Sequence, residues 1–218
     1  MNNLEKKYYD FLIQENAKYN LTNITSIDEV MIKHFNDSYM LGNCFDLNQD
    51  LSLCDVGSGA GFPSIALKIK YPSLKVTIIE SMNKRCNFLE ELVKLLDLKD
   101  VKVICARSED CKDLRETFDI VTARAVASLP ILMEICSPLA KVGGFFAPYK
   151  GSSYDEEIKV SINAQKELNL ELNDVYKYEL LDSDGVTKVT HAIIKYQKMA
   201  KTSDKYPRPY SQIKKKSL

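Results

Sequence analysis

The sequence predicts an α/β fold built on a mostly parallel sheet, and three observations carry that expectation. An apolar run at Leu51, Leu53 and Cys54 leads through Asp55-Val-Gly-Ser-Gly-Ala-Gly-Phe-Pro into a helical pattern at Ile65, Ala66, Leu67 and Ile69. Strand and helix patterns then alternate along the chain, as they do where crossover helices connect parallel strands. Near the end, two strand patterns flank Asp182-Ser-Asp-Gly185, whose residue types favour a turn and therefore an antiparallel hairpin at one edge.

The elements follow in order. Leu4, Tyr8, Phe11 and Leu12 fall at helical spacing, as do Ile27, Val30, Met31 and Phe35, which predicts an N-terminal helical cap over residues 1–48. The core is expected over 49–198. Its second strand is Val76 to Ile79, ending in Glu80, followed by a helix face at Leu89, Leu92, Val93 and Leu96. Val101 to Ala106 and Phe118 to Ala123 read as the third and fourth strands. Ser128 is placed to cap a helix through Leu129, Leu132, Met133, Cys136 and Leu139, and Gly143 and Gly144 are expected to break it before a strand Phe145 to Tyr149. A helix from Tyr154 towards Leu168 precedes strands near Val175 to Leu181 and His191 to Tyr196. Residues 199–218 form a basic C-terminal segment, the whole making one compact domain.

Composition narrows the class. With 218 residues, 45% hydrophobic and 28% charged, the chain is of the globular type and long enough for a sizeable core. It has no apolar run of bilayer-spanning length and no signal-peptide pattern at its start, so a cytoplasmic location without membrane attachment is expected. The cysteines at 44, 54, 86, 105, 111 and 136 include no C-x-x-C pair, and neither a zinc site nor a disulfide framework is expected. Formal net charge is zero, yet Lys198 to Leu218 carries Lys198, Lys201, Lys205, Arg208, Lys214, Lys215 and Lys216 against Asp204 alone. With Tyr206, Pro207, Pro209 and Tyr210 interleaved, such an end can meet phosphates while its rings pack on bases or on the domain; a solvated tail is the other reading.

The glycine loop points to the ligand. Gly57, Gly59 and Gly61 permit torsions closed to other residues and let the main chain approach a ligand. A dinucleotide fingerprint needs its third glycine where Phe62 stands, which disfavours a pyrophosphate clamp. With Asp55 two residues ahead of Gly57, the loop instead resembles motif I of the class I S-adenosylmethionine (SAM) methyltransferases, which implies a Rossmann-like fold and SAM as cofactor. Glu80, at the end of the second strand, stands where doubly wound sites place an acid to accept hydrogen bonds from ribose. Ala106-Arg-Ser-Glu109 follows the third strand, where methyltransferases enclose adenine, so Ser108 and Glu109 are candidates to bond its edge.

Further segments carry a closer resemblance. Tyr19-Asn-Leu-Thr22, Lys33-His-Phe-Asn-Asp-Ser38, Asp55 to Pro63, Lys84-Arg85, Phe118-Asp-Ile-Val-Thr-Ala-Arg-Ala125, Tyr149-Lys-Gly151 and Tyr206-Pro-Arg208 together resemble, in order and spacing, the RsmG (GidB) family of bacterial small-subunit ribosomal RNA guanine-N7 methyltransferases. Ser64 and Asn83 depart from it, each replacing a usual glycine. The resemblance implies that Gly57, Phe62, Ser108, Glu109 and Arg124 contact SAM, that Glu80 helps hold its ribose, and that the partner is 16S ribosomal RNA, in the decoding region, or a small-subunit assembly particle.

The fourth strand bears on the chemistry independently. Exocyclic-amine methyltransferases commonly end it in Asn/Asp-Pro-Pro-aromatic, whereas Thr122-Ala-Arg-Ala125 stands here, and Cys136 lies in an apolar helix face rather than a nucleophile loop. Guanine N7 has an in-plane lone pair and no proton, so catalysis there needs alignment and no general base. His34, Asp37, Arg124 and Lys150 are the candidates for positioning guanine and phosphates; His34 fits a structural role in the cap equally well. Lys84 and Arg85 open a helix and could meet phosphate. A small-molecule SAM enzyme and an RNA-binding module that uses SAM without turnover remain alternative readings.

Overall fold

The computed structural model describes residues 1–182 and 185–218, so the central pair of the expected turn, Ser183 and Asp184, lies outside the described residues. Among the described residues eight strands form one sheet in the order β3-β2-β1-β4-β5-β8-β6, with β7 paired to β8. The first four, β1 (Ser52–Val56), β2 (Lys75–Glu80), β3 (Val101–Cys105) and β4 (Phe118–Thr122), are parallel, and β4 pairs in parallel with β5 (Ala140–Phe146). The helices α4 (Ser64–Lys70), α5 (Asn83–Leu95) and α6 (Leu129–Cys136) connect them. The β1 strand is buried and flanked on both sides, by β2 and β4, which sets the glycine loop at the point where the strand order reverses.

The antiparallel edge is larger than its sequence pattern suggests. Strands β7 (Leu170–Leu181) and β8 (Lys188–Lys198) pair along their length, with an irregularity between Leu172 and Asp174, and β8 also pairs with β5 and with the short β6 (Tyr149–Lys150). Gly143 and Gly144 sit inside β5 rather than breaking the preceding helix. Gly143 takes φ +83°, and a Cβ on Gly144 would meet the Asp119 carbonyl oxygen at 2.9 Å, so these glycines let β5 press against β4. The helix ends instead in a 3₁₀ turn over Ser137–Leu139. The long helix expected from Tyr154 is two, α7 (Tyr154–Val160) and α8 (Ile162–Glu167), separated by Ser161, whose hydroxyl bonds back to the Glu157 carbonyl at 2.5 Å.

The N-terminal residues pack on this sheet. Helix α1 (Asn3–Tyr19) starts with a reciprocal capping box between Asn2 and Glu5 and inserts Tyr8 and Leu12 into the core. The Tyr8 hydroxyl donates to the Ala60 carbonyl at 2.6 Å, tying the cap to the glycine loop. The second helical segment runs as α2 (Ile27–Val30), a π-helical turn over Met31–Asn36, and α3 (Asp37–Tyr39). That wider turn carries Lys33 and His34. One hydrophobic cluster joins Tyr8, Leu12, Val30 and Phe35 of the cap to Phe62, Ile65, Phe88 and Ile120 of the core.

The C-terminal segment also folds back, so several of its cations are not available to a polyanion. Lys198 is fully buried, donating to the Ser137 and Pro138 carbonyls and pairing with Glu116 at 3.4 Å. Arg208 grips the buried Glu134 with two charge-assisted bonds, Nε at 2.8 Å and Nη2 at 2.6 Å. Arg115 holds the Tyr206 and Thr202 carbonyls, and Ile213 of α9 (Tyr210–Lys215) is fully buried. Lys201, Lys214, Lys215 and Lys216 remain exposed. No helix among the described residues is long and apolar enough to cross a membrane.

Candidate functional site

The glycine loop is braced from beneath by two acids. Asp55, fully buried at the end of β1, accepts from the Ser64 amide at 3.3 Å, and burial pushes its carboxyl up to about 6 against the opposing bonds of Ser58 and Ser64. Its role is thus to shape the loop from within the sheet. Glu80, also buried, accepts from the Gly59 amide at 3.1 Å through Oε2 and from the Met82 amide at 3.0 Å through Oε1. Both carboxylates therefore fix the loop before any ligand arrives, and Glu80 keeps lone pairs for a hydroxyl.

The three glycines do different work. Gly57 has φ +76° and a Cβ there would lie 2.6 Å from Val126 Cγ2, while Gly59 has φ +61° and open space in front of it. Gly61 instead faces the cap, where a Cβ would stand 2.5 Å from the Tyr8 hydroxyl. Phe62 likewise turns its ring into the cap: it stacks on Tyr8 at 4.8 Å and on His34 at 4.7 Å and is 4% exposed. Any ligand contact at Gly61 or Phe62 must come from their backbone or ring edge.

Beside the loop runs a narrow groove of about 100 Å³ between the ends of β1, β2 and β3, where Gly57, Ile79, Ser108, Glu109, Val126 and Tyr210 meet. Glu109 Oε1 is buried there with no hydrogen-bond partner among the described residues, an acceptor that fits the exocyclic amine of adenine. Tyr210 reaches the groove from α9, with the Arg107 guanidinium 5.2 Å from its ring centre. The sequence offered Tyr210 only as one of several interleaved aromatics; its place in the groove depends on the fold-back.

A second, larger cavity of about 610 Å³ opens on the other side of the loop that follows β4. Arg124, Ala125 and Ala127 line the cavity, whereas Val126 lines the groove, so this loop is the partition between them. Ala125 holds φ +57°, which supports the alternation. Arg124 Nη1 donates to Asp37 Oδ2 at 2.5 Å and to the Lys33 carbonyl at 3.3 Å, and Asp37 Oδ1 accepts from the Tyr178 hydroxyl at 2.5 Å. His34 Nε2 lies 3.0 Å from the Thr22 hydroxyl. Burial, and then the Arg124 charge, push its imidazole down to about 4, so it is neutral at pH 7. Lys150, 8% exposed, donates to Glu157 Oε2 at 2.7 Å and to the Ala127 carbonyl at 2.9 Å.

The structure therefore gathers His34, Asp37, Arg124 and Lys150 in one cavity, and Gly57, Ser108 and Glu109 in the adjoining groove. Ser128 does not cap α6 as expected: the Leu129 amide donates to Glu157 Oε2 at 2.7 Å. Glu157, Tyr178 and His191 escaped the sequence reading. Glu157 reads there as one of three acids opening a short helix, and the other two sit in a strand pattern. Among the described residues no group of three or more His, Cys, Asp or Glu converges as a metal site.

The chain matches the family described as GidB, rRNA small subunit methyltransferase G, over residues 1–183. It belongs to that family. Two relatives named ribosomal RNA small subunit methyltransferase G are similar over nearly the whole chain: 44% identical in Carboxydothermus hydrogenoformans, covering 94% of this chain and 86% of that one, and 46% in Staphylococcus aureus, covering 92% and 83%. Among solved structures, M. jannaschii TYW2 in complex with AdoMet matches with a TM-score of 0.57 at 18% identity over 74% of this chain and 76% of that one. Precorrin-6y C5,15-methyltransferase of Geobacter metallireducens matches with a TM-score of 0.54 at 14% identity, covering 74% and 87%. At such identities the likeness is one of fold, that of class I SAM methyltransferases, and it is the GidB family match that extends to the cap.

Proposed function

We propose that this protein transfers the methyl group of SAM to N7 of a guanine in 16S ribosomal RNA. It is a SAM-dependent methyltransferase acting on small-subunit ribosomal RNA, in keeping with its family. The observation that carries the N7 reading is the committed state of the four groups that converge beside the partition loop. Arg124 is paired with Asp37, Lys150 with Glu157, and His34 is neutral and bonded to Thr22. The site offers alignment and a fixed field rather than a base poised to take a proton.

Gly57, Ser108, Glu109 and the backbone of the glycine loop are the residues to hold SAM, with Glu80 on the ribose. SAM, when bound, supplies a methyl group on a positively charged sulfur. The protein's own contribution is to seat the base in the cavity, exclude water from it, and hold Arg124 and His34 in fixed orientation beside the partition. We propose that residues 1–48, 49–198 and 199–218 act as cap, core and C-terminal segment of one unit in the cytoplasm. Mapping label from methyl-labelled SAM on small subunits from cells lacking the enzyme tests the function. Stable label at N7 of one guanine is expected, and label on an exocyclic amine or on no guanine overturns it.

The pH response follows from the two displaced groups. The single-turnover rate should be flat from pH 7 to 9, because His34, pushed down to about 4, and Asp55, pushed up to about 6, both finish titrating below that window. Stability has its own signature. On acidification the two groups oppose each other: the unfolded chain takes up a proton at His34 from roughly 6.5 that the folded chain refuses until about 4, whereas the folded chain takes one up at Asp55 from about 6, before the unfolded carboxyl does. The destabilising His34 contribution is therefore read as the difference in pH dependence between wild type and His34→Gln. A rate that climbs through one ionisation between pH 7 and 9, and loses the climb in His34→Ala, would falsify the base-free mechanism.

RNA affinity should draw on the exposed lysines at the end of α9 and just beyond it. Replacing Lys214, Lys215 and Lys216 with glutamine is expected to weaken binding to 16S RNA and to lower the log–log salt slope by about 0.7 to 0.9 for each phosphate left unneutralised. The affinity for SAM should stay unchanged. A wild-type slope in the triple variant shows that these lysines do not touch RNA.

A further inference from the structure

We infer that Glu157 reads the Watson–Crick edge of the guanine, making it the residue that selects this base over adenine. The inference rests on the guanine reading above and deepens it. Of the carboxylates that line the cavity, Asp37 has both oxygens committed, to Tyr178 and Arg124, and Asp182 stands half-exposed at the rim, paired with Lys33. Glu157 differs. Its Oε2 accepts from the Leu129 amide at 2.7 Å and from Lys150 Nζ at 2.7 Å, which anchors the carboxylate, while its Oε1 accepts no hydrogen bond among the described residues. The side chain is 22% exposed and borders the cavity, and both of its anchors are tied to the partition loop: Lys150 also holds the Ala127 carbonyl, and Leu129 lies two residues beyond it.

An anchored anion with one open acceptor suits one base edge. Guanine presents two adjacent donors there, N1–H and the N2 amine. Adenine presents a bare N1 acceptor in the same place, which a carboxylate repels, and both pyrimidines present an acceptor at O2. The apolar walls contributed by Ile24, Leu180 and Val189 lower the local dielectric, so a mismatched acceptor beside the carboxylate is costly. Methylation at N7 leaves a positive charge delocalised over the purine. A carboxylate held at the opposite edge stabilises that charge as it develops, while taking no proton. Glu157 thus selects the base and favours the product through one contact.

A cycle between enzyme and substrate tests this directly. Small subunits are reconstituted with 16S RNA carrying either guanosine or inosine at the mapped position; inosine keeps N1, O6 and N7 but lacks the N2 amine. Wild-type protein should lose about 10- to 100-fold in single-turnover kcat/KM on inosine, the cost of one hydrogen bond to a charged group. Glu157→Gln should lose a similar factor on guanosine and lose little more on inosine, because the partner of the missing amine is already gone. Glu157→Asp keeps the charge opposite Lys150 but withdraws the acceptor by one methylene, and should show the same insensitivity. SAM affinity by calorimetry should stay within a factor of about two for both variants, since Glu157 does not face the groove. Losses that multiply in the variants, or a wild type indifferent to inosine, overturn the assignment and leave Glu157 as an anchor for α6 and Lys150. A wild type that labels no guanine even on natural RNA overturns the function reading and this one with it.

Discussion

Gly57→Val should reduce SAM affinity by at least about 100-fold, or about 2.8 kcal/mol at 1.4 kcal/mol per decade. Two effects combine. The backbone at Gly57 has φ +76°, which a β-branched residue adopts only under strain, and the new Cβ would lie 2.6 Å from Val126 Cγ2 at the mouth of a groove of only about 100 Å³. The substituted side chain therefore fills the space between loop and partition that a ligand has to enter. Gly59→Val separates the contributions: φ is again positive, but no atom of the described residues lies within 4 Å of the added Cβ, so its loss reports only backbone strain and direct obstruction of ligand. Calorimetry with SAM, beside circular dichroism to show a folded domain, measures both. Wild-type affinity in both variants would remove the glycine loop from the cofactor site.

Arg124→Ala is the second large expected effect, on rate and on stability together. Arg124 is 15% exposed and its partner Asp37 only 6%, so truncation strands a buried carboxylate, which costs about 3–5 kcal/mol of folding stability where the site cannot relax. The same guanidinium spans Asp37 and the Lys33 carbonyl, tying the wide helical turn of the cap to the partition loop. Releasing that tie lets both walls of the cavity shift, and a misplacement of roughly 1 Å is enough to cost about 100-fold in the chemical step. Arg124→Lys restores the charge but not the planar fork, so it should recover much of the stability and little of the rate. Thermal melts and single-turnover transfer on small subunits read the two effects separately. Full rate in Arg124→Lys would reduce Arg124 to a counter-charge for Asp37.

The loop, the acid at the end of β2 and the alternation of strand and helix were legible because each is written locally, within a few residues of chain. The groove was legible for the same reason, at Gly57, Ser108 and Glu109. Of the cavity, His34, Asp37, Arg124 and Lys150 were named but their pairings, and Glu157, Tyr178 and His191, were not, because long-range contacts build it: Arg124 meets Asp37 across 87 residues, and Tyr178 meets Asp37 across 141. Local signals also lost to tertiary ones. Gly143 and Gly144 look like a helix break but serve a close strand approach, and Ser128 looks like a cap but yields that place to Glu157. Lys198 and Arg208 read as cations open to phosphate or solvent until the C-terminal segment folds back and Glu116 and Glu134 claim them. A count of charges along the chain cannot tell a cation facing solvent from one buried opposite a carboxylate.

The π-helical turn over Met31–Asn36 has a consequence for how this site could have arisen and how it could be lost. Such a turn is an α-helix with one residue too many, less favourable than the regular turn it replaces, and it recurs where proteins use the bulge. Removing one residue from it would restore a regular, better-bonded helix while rotating what lies on one side of the deletion by about 100° relative to the other. His34 and Asp37 could then no longer both face Arg124. A variant carrying that deletion is expected to have a sturdier cap over a mute cavity, so the extra residue sets activity against stability.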